Sequence, residues 1–147
     1  MKLGIVGHAQ EKFTFGTELK ARQEIEKAIK HHNPEVVISG RSPMGGVDIY
    51  AEEIAAKLGV PTKIYQPEIH KWDGSYAGKI GFKQRNLQIA EHSDVVLVVV
   101  LKTLHPSYKG MKFNGCYHCG TRNPEHVKSG GCWTAWKCRK QEWIIIP

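Results

Sequence analysis

The stretch "SDVVLVVVL", residues 93–101, limits the folds open to this chain more than any other. Val95–Leu101 is an unbroken apolar run, most of it valine, with no alternation of polar and apolar positions. A strand that reads this way is buried on both faces, which points to a parallel sheet covered by helices on each side. The run is also the longest apolar segment in the chain, far short of the roughly 18 residues that a membrane span needs.

The rest of the chain supplies such a sheet with partners. Residues 2–6, 35–39, 61–67 and the closing "EWIIIP" read as four further strands. Between them, 17–31 suits a helix with Thr17 as its cap and Ala21, Ile25, Ala28 and Ile29 as an apolar stripe. A second helix is expected over about 47–58, stopped by Gly59, and a third over roughly 82–91. The stretch "SGGCWTAWKC", residues 129–138, opens a last helix. Strands alternating with helices predict one α/β, Rossmann-like, three-layer domain over 1–147. Its sheet should be mostly parallel with about five strands, and a Cys-containing loop is inserted at about 102–128.

The 147 residues are enough for one core, and the composition, 41% apolar and 24% charged, is that of a globular chain. The N-terminal "MKLGIVGH" is too short for a signal peptide, so a cytoplasmic protein with no membrane partner is expected. A net charge of +7 suits a phosphorylated small ligand or nucleic acid. The 21 Lys and Arg residues are spread along the chain, which makes nucleic acid the weaker expectation.

In open parallel sheets, ligands bind at the carboxyl ends of the strands. Four segments there carry chemistry. Gly7-His8 ends the first strand: the Gly admits close backbone approach and His8 can hydrogen-bond a ligand, or the pair is a plain turn. "SGRSPMGGVD" begins with Ser39 and Gly40 and places Gly45 and Gly46 before a helix, where free amides favour an anion. Asp48 in the next turn can meet a sugar hydroxyl, or simply complement the helix dipole. Arg85 and Asn86 in "FKQRN" offer a forked phosphate contact and a base- or sugar-orienting amide, against the plainer reading of a solvated helix face. Trp72, in the loop before them, can stack on a base, though anchoring its own long loop is the first reading. Gly130, Gly131 and Thr134 form the fourth segment, a phosphate cradle or a helix cap. None of these spacings is a Walker A loop or a G-x-G-x-x-G fingerprint.

The run from "ISGRSPMGGVDIYAEEIAAKLGV" through "HKWDGSYAGKIGFKQRNLQIAEHSDVVLVVV" resembles the SLOG superfamily of Rossmann-like proteins, particularly its YpsA-related members. The likeness covers roughly residues 1–101 and 129–147. It implies a nucleotide-type ligand, and a homodimer is compatible with it. The superfamily includes DprA-like DNA-processing proteins and the Lonely-Guy phosphoribohydrolases, whose motif is P-G-G-x-G-T-x-x-E. In "SGGCWTAWK", Gly130, Gly131 and Thr134 fit that motif, while Trp133 stands at its later Gly and Lys137 at its catalytic Glu. An ammonium cannot replace a carboxylate beside an oxocarbenium-like transition state. Glu52, Glu53 and Asp48 remain as other carboxylates.

All four cysteines lie in the last third, and Cys116-x2-Cys119 has zinc-knuckle spacing. His118, His126, Cys132 and Cys138 are the candidates for completing it. Cys138, six residues beyond Cys132 on one helix, is awkwardly placed to share its ion. Cys116, Cys119, His126 and Cys132 are therefore the expected ligands of a structural zinc, the alternative being reduced thiols packed in a loop. The leading expectation is a nucleotide sensor or carrier. A hydrolase of an N-glycosidic or phosphate bond comes second and a DNA-associated module third.

Overall fold

In the computed structural model, residues 1–110, Cys116, Cys119 and residues 126–147 are described. His118 and part of the expected 102–128 loop lie outside them. Among the described residues no helix is long and apolar enough to cross a membrane.

Five strands build one sheet: β1 (Lys2–Gly7), β2 (Val36–Ser39), β3 (Thr62–Ile64), β4 (Val95–Leu101) and β5 (Gln141–Ile146). Their order is β3-β2-β1-β4-β5, and all neighbours are parallel. The helices are α1 (Phe15–His32), α2 (Val47–Lys57), α3 (Phe82–His92) and α4 (Gly130–Trp136). This is a Rossmann-like α/β domain.

The apolar run of β4 is buried along its whole length because both of its faces meet helices. Val95, Leu97, Val99 and Leu101 join the core beneath α1 and α2, with Ile25, Ile29, Tyr50 and Ala51. Val96, Val98 and Val100 point the other way, into a core with Ile89, Ala90 and Ala135 from α3 and α4. All four cysteines belong to that second layer. Each fully buried Val or Leu contributes about 1.5–3 kcal/mol, so this strand is the main support of both layers.

Three local expectations are corrected. The cap of α1 is Thr14, and Thr17 is its partner in a reciprocal capping box: Thr17 N–H donates to Thr14 Oγ1 at 3.0 Å and Thr14 N–H to Thr17 Oγ1 at 2.8 Å. A Thr-x-x-Thr pair can satisfy two orphan amides at once, and this draws the helix start back by one turn. The third strand is shorter than 61–67, since β3 is an edge strand that ends at Ile64. The last helix, α4, expected to hold Thr134 in its first turn and to carry Cys138, has only seven residues: Thr134 falls in its second turn and Cys138 lies beyond its end at Trp136.

The chain builds β1, β2 and β3 outward in one direction, then crosses to place β4 on the other side of β1. The carboxyl ends of β1 and β4 thus flank the point where the strand order reverses, the usual location of a ligand crevice in such sheets.

Candidate functional site

A cleft of about 330 Å³ lies at this switch point. Gly7 and His8 from the end of β1, Gly45 and Asp48 from the start of α2, Arg85 and Asn86 from α3, and Gly130, Gly131 and Thr134 from α4 all line it. Nine of the expected binding residues are therefore brought together. Ser39, Gly40 and Gly46 are not at its surface but lie behind it, holding the residues that are.

Their roles follow from close packing. Gly46 has φ +88°, and a Cβ there would stand 2.3 Å from the His8 carbonyl oxygen. That approach lets Val47 N–H donate to His8 O at 3.1 Å and locks the start of α2 to the end of β1. A side chain at Gly40 would strike the Arg85 guanidinium, whose Nη1 donates to the Gly40 carbonyl at 2.6 Å. Ser39 Oγ donates to the Asp48 carbonyl at 3.1 Å. In the structure all three make close contacts within the chain, at the junctions of β1 with α2 and of β2 with α2 and α3.

His8 is buried with both ring nitrogens engaged. Nδ1 accepts from Leu101 N–H at 3.1 Å, so the proton sits on Nε2, which donates to Lys128 O at 3.0 Å. Burial pushes its pKa down to about 4, so the ring is neutral and ties three segments together.

Asp48 is the most unusual group in the cleft. Its carboxylate accepts Ser42 N–H at 3.0 Å. Burial raises its pKa to about 6, against the pull of Arg85 and of that amide, while Glu52 pushes it further up. Arg85 donates from Nε to Asn86 Oδ1 at 2.8 Å, and its guanidinium lies 5.4 Å from the centre of the Phe82 ring. Desolvation lowers its pKa and Asp48 raises it, but among the described residues the two form no direct ion pair. Acid and base thus share a desolvated space without neutralising one another in contact, an arrangement that favours a polar ligand between them.

This has a consequence for stability. An unfolded aspartate titrates near 3.8 and the native one near 6, so the folded chain holds the proton more tightly. Asp48 therefore favours folding most below about pH 4, and that contribution is lost as pH rises through about 6. Urea unfolding should show Asp48→Asn gaining about 1–2 kcal/mol on the wild type between pH 5 and pH 8. A gain that is equal at both pH values would contradict the raised pKa.

Gly130, Gly131 and Thr134 line the cleft, but two of the donors expected to cradle a ligand are engaged within the segment itself. Ser129 Oγ accepts Gly131 N–H at 3.1 Å, and Thr134 Oγ1 donates to Gly130 O at 3.4 Å. Positive charge comes instead from Lys12 and Lys128, which line the cleft and which the sequence reading did not single out. Burial and the neighbouring Lys128 lower the pKa of Lys12. Ser42, Phe82 and Ser129 were also missed. Their one signal in the sequence is adjacency to the glycine-rich segments.

Behind the α4 wall, Cys116, Cys119, His126 and Cys132 form a buried cluster whose four ligand atoms all lie within 4.8 Å of one another. Cys119 Sγ is 3.3 Å and Cys132 Sγ 3.8 Å from His126 Nε2. His126 Nδ1 donates to Val127 O at 2.9 Å, which leaves the Nε2 lone pair facing the sulfurs, the orientation that a metal-bound imidazole takes. In a tetrahedral zinc site the donor atoms stand about 3.5–3.8 Å apart, so the cluster needs only small shifts to hold a metal ion. Burial raises the pKa of Cys119 and of Cys132, so without a cation these thiols stay protonated. The Trp143 indole N–H is buried with no oxygen partner and lies against Cys132, where it would favour a thiolate. Cys138 is elsewhere, its Sγ donating to Ser93 O at 3.4 Å.

Metal centre and cleft share one segment. His126 and Cys132 bracket Lys128–Gly131, all four of which line the cleft. Comparison with known proteins adds no relative to this geometry: no family model, curated protein or solved structure matches the chain.

Proposed function

We propose that the cleft binds a nucleotide or nucleotide-derived ligand, as a sensor or carrier, and that the Cys3His cluster holds a structural zinc ion. The observation that carries the first part is the buried Asp48 facing Arg85 and Asn86 in a cleft that also holds Lys12 and Lys128. Asp48 and Asn86 suit sugar hydroxyls, and the lysines suit phosphate. A buried carboxylate that weakens the fold at neutral pH is an expected feature of a binding site.

Membership of the SLOG superfamily belongs to the same proposal. Its support is that Gly45 and Asp48 of the "GGVD" segment at the start of α2 and the "RN" of α3 line one cleft. Zinc is the reading of three thiols and one imidazole that best fits metal preference, and it would order the wall of the cleft. Reduced thiols suit the cytoplasm.

Asp48 also favours a second reading, hydrolysis of an N-glycosidic bond. A carboxyl group that titrates near 6 can give a proton to a leaving base at neutral pH. Incubation with nucleoside monophosphates separates the two. A sensor returns the ligand intact after hours, whereas a hydrolase releases free base and loses that activity in Asp48→Asn. Calorimetric titration should detect binding in either case, and absence of binding by any nucleotide would overturn both.

A further inference from the structure

We infer that Trp72 is the platform on which the nucleobase stacks. This rests on the nucleotide reading of the cleft and deepens it. As the sequence first suggests, an aromatic residue in a long loop anchors that loop. Here the anchoring is done by other groups. Trp72 O accepts Lys83 N–H at 2.7 Å, and Lys71 O accepts Phe82 N–H at 2.9 Å, so the backbone is fastened to the first turn of α3. Gln84 Oε1 accepts the N–H groups of Gly74 and Gly81, each at 3.0 Å, and its Nε2 donates to Asp73 at 2.8 Å. At Gly81 a Cβ would stand 2.6 Å from Lys71 O, so the loop ends pack backbone to backbone.

With the loop held this way, the Trp72 side chain is still 47% exposed, and it lines the cleft. Among the described residues its one ring contact is with Trp133, centroids 4.9 Å apart and planes at 76°. A perpendicular contact covers at most one face of the indole. Two neighbouring aromatic rings already carry cations, Arg85 at 5.4 Å from Phe82 and Lys137 at 5.3 Å from Trp133. Among the described residues none lies over Trp72. A large π-face on a fixed backbone, open to the cleft that holds Asp48 and Arg85, suits a flat heteroaromatic ring joined to a polar sugar.

Stacking of this kind accepts any base, since each has a π-face. The expected ligand class is therefore a nucleotide, with selectivity between bases set elsewhere. The test is calorimetric titration of wild type, Trp72→Ala and Trp72→Phe with AMP, GMP, CMP and UMP, and with ribose 5-phosphate, which lacks the ring. Trp72→Ala should weaken the best-binding nucleotide about 5- to 150-fold, Trp72→Phe should recover most of that loss, and ribose 5-phosphate should bind all three proteins alike. Melting temperatures close to wild type establish that the variants fold. Unchanged nucleotide affinity in Trp72→Ala, or ribose 5-phosphate binding as tightly as the nucleotides, would overturn the stacking role while leaving the cleft as a sugar-phosphate site. Failure of every nucleotide to bind the wild type would overturn both.

Discussion

Replacing Cys132 with serine is expected to abolish tight zinc binding and to cost at least about 3 kcal/mol of stability in zinc-loaded protein, at or beyond the upper end of most single substitutions. The ligand atoms of Cys116, Cys119, His126 and Cys132 are gathered in the core, all four residues buried. A structural zinc ion is bound far more tightly by a folded site than by an unfolded chain, so its binding energy becomes folding energy. Cys138→Ser is the matched control. Cys138 is also buried, but its thiol meets the Ser93 carbonyl, so the same change there should leave zinc content intact and cost about 1 kcal/mol. Metal analysis and thermal melts with and without a chelator check both. Equal melting behaviour of Cys132→Ser and wild type, with no effect of added zinc on either, would mean that the cluster is only packed thiols.

Gly46→Ala is the second large effect, expected at about 3 kcal/mol or more. The backbone there lies at φ +88° and ψ −144°, a region essentially restricted to glycine, where strain alone is worth about 1–3 kcal/mol. The added methyl would also stand 2.3 Å from His8 O and 2.7 Å from the Ala9 backbone, none of which can move without parting β1 from α2. Gly59→Ala isolates the first of these costs. Gly59 also has positive φ, +72°, but nothing lies within 4 Å of its missing Cβ, so about 1–2 kcal/mol is expected. Urea unfolding of both variants measures the difference, and equal losses would show that the contact with His8 carries no weight.

The sequence foretells the fold through Val95–Leu101, because an unbroken apolar strand has few ways to bury both of its faces. The metal cluster was legible for a similar reason. A Cys-x2-Cys knuckle needs two more ligands, and His126 and Cys132 follow it closely in the chain; the sequence sets Cys138 aside on a helix that in the structure ends before it, at Trp136. Less could be read at the cleft. A glycine in sequence does not reveal what it makes room for: at Gly46 a Cβ would meet the backbone of His8 and Ala9, and at Gly40 the Arg85 side chain. Lys12 and Lys128 are 116 positions apart and look like ordinary surface lysines until the fold sets both against His8. The hold that Gln84 has on the loop before α3 is not legible either, since a Gln at the third helical position bonds both Gly81, its own cap, and the distant Gly74.

Native mass spectrometry of freshly purified protein, comparing intact and denatured masses, tests the nucleotide-and-zinc proposal most directly. One zinc ion and a nucleotide-sized adduct per chain, both lost on denaturation, is the expected result, and the adduct mass would begin to name the ligand. A bare chain that takes up neither zinc nor any nucleotide when they are added back would contradict it.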